Sequence, residues 1–194
     1  MKKLGFILFL LFAATFFFSS CTRTFNIEIN DIGTYPRALF EPLPIKVGVY
    51  YDNDFSTFET TIKKVIDSDL TFIENIKMGK ANIALFNYIL STVFEKVTPV
   101  QYLSNGSDHK KDIDLIIEPT VHGYTYSNPY VSGAYIHIIY VINFYLPEGE
   151  KISSWWIKGS GDVPPGFESE TGGVIRRTQS AMRQVAVKFI TRVQ

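Results

Sequence analysis

From Ala134 to Leu146 the chain alternates without a break. Ile136, Ile138, Tyr140, Ile142, Phe144 and Leu146 fall on one face, and Tyr135, His137, Ile139, Val141, Asn143 and Tyr145 on the other. Only extended backbone separates residues with a period of two, so a long strand is dictated here. Pro147-Glu148-Gly149-Glu150 then reverses the chain, with Pro pre-setting φ and Gly supplying a positive φ. Lys151 to Ser160 returns as the second arm of a hairpin. A lone hairpin is marginal in water, so these strands require further neighbours and a cover for the apolar face.

The neighbours are legible on either side. Asp112 to Tyr126 reads as another long strand, with Ile113, Leu115, Ile117 and Val121 opposite Asp114, Glu118, Thr120 and His122. Ile45 to Tyr51 is a β-branched, alternating strand closed by the turn-forming Asp52-Asn53-Asp54. A strand is expected near 97–103, and Asn105-Gly106 marks a tight turn. Ser56 to Glu59 matches a capping box. The density of β-branched residues from Thr60 to Ile66 nevertheless favours two strands, near 58–66 and 69–76, over a helix. Two covers are available. Ala81, Ala84, Leu85, Tyr88, Ile89 and Val93 recur at helical spacing over 79–95, and Val174, Thr178, Ala181, Met182, Val185, Phe189 and Val193 form a second helical stripe. The residues 159–173, rich in Gly and Pro, read as the loop leading into that helix. The expected fold is α+β, a mostly antiparallel sheet with two amphipathic helices packed on one face.

The N-terminus obeys different rules. Met1-Lys2-Lys3 precedes an apolar run from Leu4 to Phe18, then Ser19-Ser20-Cys21. A basic start, a short apolar stretch and small residues read as a signal peptide. The run is too short for a span, since fifteen helical residues reach only about 22 Å against a hydrocarbon core of roughly 30 Å. Phe18-Ser19-Ser20-Cys21 resembles the bacterial lipobox, with Phe18 in place of the usual leucine. That resemblance implies cleavage before Cys21 and a covalent lipid on its thiol. Thr22 after the cysteine, where aspartate is the retention signal in Gram-negative lipoproteins, implies the outer membrane. The chain then divides into a leader, 1–20, a lipidated N-terminus and tether, 21–44, and one domain, 45–194. The tether reading rests on Pro36, Pro42 and Pro44 and scattered apolar residues, with Phe25, Ile27 and Ile29 alternating as a short edge strand.

Composition bears on partners. The full chain has 19 basic and 19 acidic side chains, and loss of the leader with Lys2 and Lys3 leaves 17 against 19. Such a balance gives no global attraction to nucleic acid. The single cysteine is too little for a thiolate zinc site.

Pro44 to Tyr50, the Gly79-Lys80-Ala81 start of a helix ending in Val93-Phe94, Tyr145 to Ile152 with Trp156 and Gly159-Ser160-Gly161, and Ala181 to Phe189 together resemble a group of uncharacterised bacterial lipoproteins. In layout the chain is also similar to small accessory lipoproteins of lipopolysaccharide assembly and of ABC-type transport systems. The resemblance implies an envelope component and carries no catalytic motif.

The residues themselves offer little chemistry. There is no G-x-S-x-G, and Gly159-Ser160-Gly161 lacks the rest of a phosphate-binding loop. His109, His122 and His137 lie in different elements with no metal-ligand spacing, although His122 and His137 occupy the polar faces of neighbouring strands. Asp112, Asp114 and Glu118 read as a solvated strand face. Aromatic residues are the stronger signal. Tyr124, Tyr126, Tyr130, Tyr135 and Tyr145 cluster about one loop, and Trp155 and Trp156 must point to opposite faces, so one leaves the core. Exposed Tyr and Trp anchor protein partners and stack on sugars. Tyr124, Tyr126, Tyr130, Tyr135, Tyr145 and Trp155 are the candidate contact. The competing expectation is that Tyr135, Ile139, Val141 and Tyr145 are covered by the N-terminal segment or by 52–76. The expectation is a non-enzymatic outer-membrane lipoprotein facing the periplasm. It is held to the membrane by lipid on Cys21, binds another envelope protein, and needs no cofactor. A glycan-binding lipoprotein is the alternative, and a hydrolase ranks third.

Overall fold

A computed structural model describes residues 21–67, 70–103, 112–127, 135–162 and 170–194. The leader with its Phe18-Ser19-Ser20 motif, the Asn105-Gly106 turn, His109 and Tyr130 lie outside them. Among the described residues, eight strands form two sheets. The strands are β1 (Cys21–Glu28), β2 (Leu43–Val49), β3 (Glu59–Asp67), β4 (Leu70–Lys77), β5 (Phe94–Pro99), β6 (Leu115–Tyr126), β7 (Tyr135–Tyr145) and β8 (Lys151–Asp162). The helices are α1 (Asn53–Ser56), α2 (Gly79–Val93) and α3 (Glu170–Val193). The main sheet runs β5-β2-β6-β7-β8 and the smaller one β1-β4-β3.

The α+β class is as expected, and the pair of strands chosen over a helix for 59–77 is present. The long ladders β6-β7-β8 are antiparallel. The other half of the main sheet is parallel, because β5 leaves α2 directly at Phe94, three residues before the expected strand, and runs beside β2. The turn after β7 is as read, with Gly149 at φ 95°.

Both long helices lie on the face of β7 that carries Ile136, Ile138, Tyr140 and Ile142, all fully buried. Tyr140 is the centre. Its ring meets Phe86 of α2 edge-on at 5.4 Å and Phe55 of α1 at 6.4 Å. Its hydroxyl donates to Asn82 Oδ1 of α2 at 2.7 Å, which satisfies both polar groups in a dry interior. Asp52, expected in a turn, caps α1 by accepting from the Phe55 amide, so the turn chemistry serves to aim Phe55 inward.

Two expectations change. The strand expected to end at Ser160 runs on to Asp162, so Gly161 joins Gly159 in β8 and does not open the loop, and α3 lies directly on both. A Cβ at Gly161 would collide with the carbonyl oxygen of Arg177, and one at Gly159 with that of Ala181. Glycine at alternate strand positions strips one face bare so that a helix can approach, and composition alone mistakes such a strand for a loop.

The segment read as a tether is also folded, and the edge strand expected at Phe25, Ile27 and Ile29 is present as β1. Residues 21–28 pair in parallel with β4, and Ile27, Ile29 and Ile32 are buried. Arg183 of α3 donates to the Ile32 carbonyl at 2.7 Å, Gln179 to that of Asp31 at 3.1 Å, and the Tyr88 hydroxyl of α2 to that of Pro36 at 3.0 Å. The prolines that suggested a tether shape a strap across both helices, held by three isoleucines and by side-chain donors to its carbonyls.

Gly161→Ala should destabilise the protein by about 1–3 kcal/mol, because strand and helix must separate. Urea denaturation of the two proteins measures it.

Candidate functional site

The face of β6-β7-β8 turned away from the helices is the candidate site. Its residues follow from the strand period and register. Thr120, Val141 and Trp156 form one row across the three strands, and Asn143 and Ser154 another. The ladder shifts register at His122, between Val121 and Gly123, and the imidazole packs edge-on to Trp156 with centroids 4.4 Å apart. Trp156 is 57% exposed and Tyr135 38%, while Ile139, Val141 and Tyr145 are half-buried. An exposed tryptophan on a sheet face, with β-branched neighbours, gives broad apolar contact at little cost in side-chain entropy.

A polar network adjoins this surface. Glu118, almost fully buried, accepts from the Tyr145 hydroxyl at 2.7 Å and from Asn143 Nδ2 at 3.0 Å, and Ser154 donates to Asn143 Oδ1 at 2.8 Å. Burial, and then the hydrogen bond to Glu118 and its charge, push the Tyr145 phenol well above the ordinary tyrosine range. The hydroxyl stays a donor that fixes the carboxylate. Further along β7, the rings of Tyr135 and His137 lie 4.5 Å apart. Burial, followed by the nearby Lys158 ammonium, holds the His137 imidazole below its usual pKa.

The expected aromatic cluster divides between the two faces of the sheet. Tyr135 and Tyr145 are on the outer face. Tyr124 and Tyr126 stand opposite Ile138 and Ile136 and so point to the helix side. The Tyr124 hydroxyl bonds Thr178 of α3 at 3.0 Å, and burial raises its pKa well beyond the ordinary range. Tyr126 lies under the Lys64 ammonium, 4.6 Å from the ring centroid, so the 52–76 region does cover a tyrosine, though not the ones expected. Trp155 is likewise inward, packed between Phe144 at 4.6 Å and Phe189 at 5.9 Å, with the Arg192 guanidinium over its ring. The tryptophan that leaves the core is Trp156. Register decides this, by setting Trp156 opposite Val141 of the outer face and Trp155 opposite the buried Ile142.

Other candidates stay apart. His137 pairs with Thr125 and not with His122. Asp114 accepts from the Lys46 amide at 2.8 Å, Asp112 lies 3.9 Å from the Lys46 ammonium, and Glu118 sits within the network described. Among the described residues no group of three or more His, Cys, Asp or Glu is placed to hold a metal ion. No helix among them is long and apolar enough to cross a membrane. Cys21 opens β1, its backbone opposite Leu70.

These features define an α+β protein with one helix-covered sheet face and one aromatic face left open. No protein-family model matches the sequence, and no curated protein does. Among solved structures, the chain is similar to a Xanthomonas campestris protein assigned to DUF330, with TM-score 0.51 and 9% identity over 88% of this chain and 92% of that one. It also aligns with a minor lipoprotein from Acinetobacter baumannii, with TM-score 0.38 and 10% identity over 78% and 92%. The first likeness defines a shared fold, and activity must be argued from the residues.

The two faces make a sharp mutational contrast. Trp156→Ala should cost under about 1 kcal/mol, as for an exposed side chain, whereas Trp155→Ala should cost about 2 kcal/mol or more. Chemical denaturation monitored by circular dichroism distinguishes them.

Proposed function

We propose that this chain is a lipoprotein of the bacterial outer membrane, facing the periplasm, that binds another envelope protein through the outer face of β6-β7-β8 and performs no catalysis. The observation that carries the binding reading is Trp156, exposed on the outer sheet face beside His122 and Val141, with Tyr135 exposed farther along the same face. A broad surface with aromatic anchors fits a protein partner, whose contact is spread over many residues, better than a small substrate, which needs a concave pocket. The anchor reading is supported by the leader, the lipobox-like Ser19-Ser20-Cys21 and the Thr22 that follows. Two or three acyl chains at Cys21 would hold the protein stably, since each buried methylene contributes about 0.8 kcal/mol.

A glycan remains the second reading, favoured by the Glu118-Asn143-Ser154 network next to Trp156, where a sugar ring would stack and find polar partners.

Cys21→Ala should release the protein from the membrane fraction and abolish labelling by a fatty-acid analogue. Unchanged fractionation and labelling would sink the anchor. A photocrosslinking residue in place of Tyr135 should capture a discrete envelope protein in cells, and Trp156→Ala should abolish the adduct while leaving the fold intact. Retention on purified glycan with no protein adduct would favour the second reading.

A further inference from the structure

The residue that would carry the lipid and the core of the domain are joined by paired β-structure with no slack. Cys21 stands opposite Leu70, and Asp67 pairs with Leu70 from the other side, so β1, β3 and β4 end together at one tip. At the opposite end the sheet is rooted. Ile27 and Ile76 enter the core, the Ile29 amide donates to the Lys77 carbonyl, and the Met78 amide donates to that of Phe58, both at 2.9 Å. Ile27, buried in β1, lies six residue steps beyond Cys21, which is about 20 Å of strand.

The two faces of this small sheet differ. One carries a polar ladder in which Thr61 donates to Asn75 Oδ1 at 3.0 Å and Asn75 to Asn26 Oδ1 at 3.1 Å. The other carries Phe25 and Phe72, 5.9 Å apart, and the Lys64 ammonium, 2.8 Å from Glu74. That ion pair is almost wholly buried, and the same ammonium caps the Tyr126 ring at the end of β6. The small sheet therefore touches the large one part-way along its length as well as meeting the core at its root. Toward the tip the surface changes character. Val65, on the face of the Thr61-Asn75-Asn26 ladder, is 62% exposed, while on the opposite face Phe25 is 37% exposed, Leu70 is half-buried and Arg23 is exposed. A tip with apolar side chains on both faces and a cation with a long aliphatic stem on one suits the boundary between headgroups and acyl chains.

We propose that the β1-β4-β3 sheet is a rigid stand-off whose tip rests on the bilayer, with Val65, Leu70 and Arg23 at the headgroups, so that an acylated Cys21 fixes the orientation of the whole domain. This rests on the reading of Cys21 as the lipid anchor. It replaces a swinging tether by a domain held at one distance and one angle, with the outer face of β6-β7-β8 presented in a set direction.

The test uses full-length protein processed in cells and reconstituted into vesicles of phosphatidylethanolamine and phosphatidylglycerol. Mass spectrometry of the N-terminal peptide reads acylation, and a fluorophore is placed on Val65→Cys, Thr24→Cys or, at the far end, Asn53→Cys. Spin-labelled lipid should quench the first two several-fold more than the third. A six-residue Gly-Ser insertion after Cys21 should erase that difference without changing the circular dichroism spectrum. An acylated protein with equal quenching at all three positions overturns the stand-off alone. An unacylated Cys21 overturns the anchor and the stand-off together.

Discussion

Burial of one face of β7 beneath two helices is the constraint on which the rest of the structure depends. Tyr140 sits at its middle, touching α1 through Phe55 and α2 through Phe86 and Asn82. A phenol in that position cannot be dry and unpaired, so Asn82 must face it, and that fixes the rotation of α2 about its axis. The rotation of α3 is set differently, by the bare backbone at Gly159 and Gly161. Once both helices are placed, the opposite face of the sheet is committed to whatever residues the strand period leaves there. The open aromatic surface is a consequence of the core.

The same logic extends to the N-terminal segment. Residues 29–36 cross α2 and α3 and are held by Arg183, Gln179 and Tyr88, each donating to a backbone carbonyl. These bonds satisfy main-chain acceptors that have no strand neighbour, and they carry β1 to its place beside β4. An element that looks peripheral in the chain thus becomes the link between the core and Cys21. On the proposed reading, a partner on the outer sheet and a lipid at Cys21 would be linked through this strap and the β1-β4 pairing.

Local signals were read well where a period was long and uninterrupted. β7, the turn at Gly149, α2 and the stripe of α3 follow from spacing alone. In the N-terminal segment the alternation of Phe25, Ile27 and Ile29 marks the edge strand, but the strap after it is hidden, because scattered apolar residues and three prolines describe a tether equally well. The strand after Lys151 outruns its expected end at Ser160, because the glycine at 161 signals a loop and a close helix approach equally well. The candidate site was half legible. Tyr135 and Tyr145 lie where alternation places them, but Trp155 and Trp156 are adjacent, and adjacency says only that they point opposite ways.

By itself the sequence determined the α+β class, the two faces of each long strand, the identity of the buried stripe and the leader-like segment ending at Cys21, because each depends on residues close together in the chain. The tertiary structure alone decided which tryptophan is exposed, that Tyr124 and Tyr126 turn toward α3 and Lys64, and that the N-terminal strand pairs in parallel with β4. Those outcomes depend on register and on which segments meet in space, and register is set by pairing partners tens of residues away.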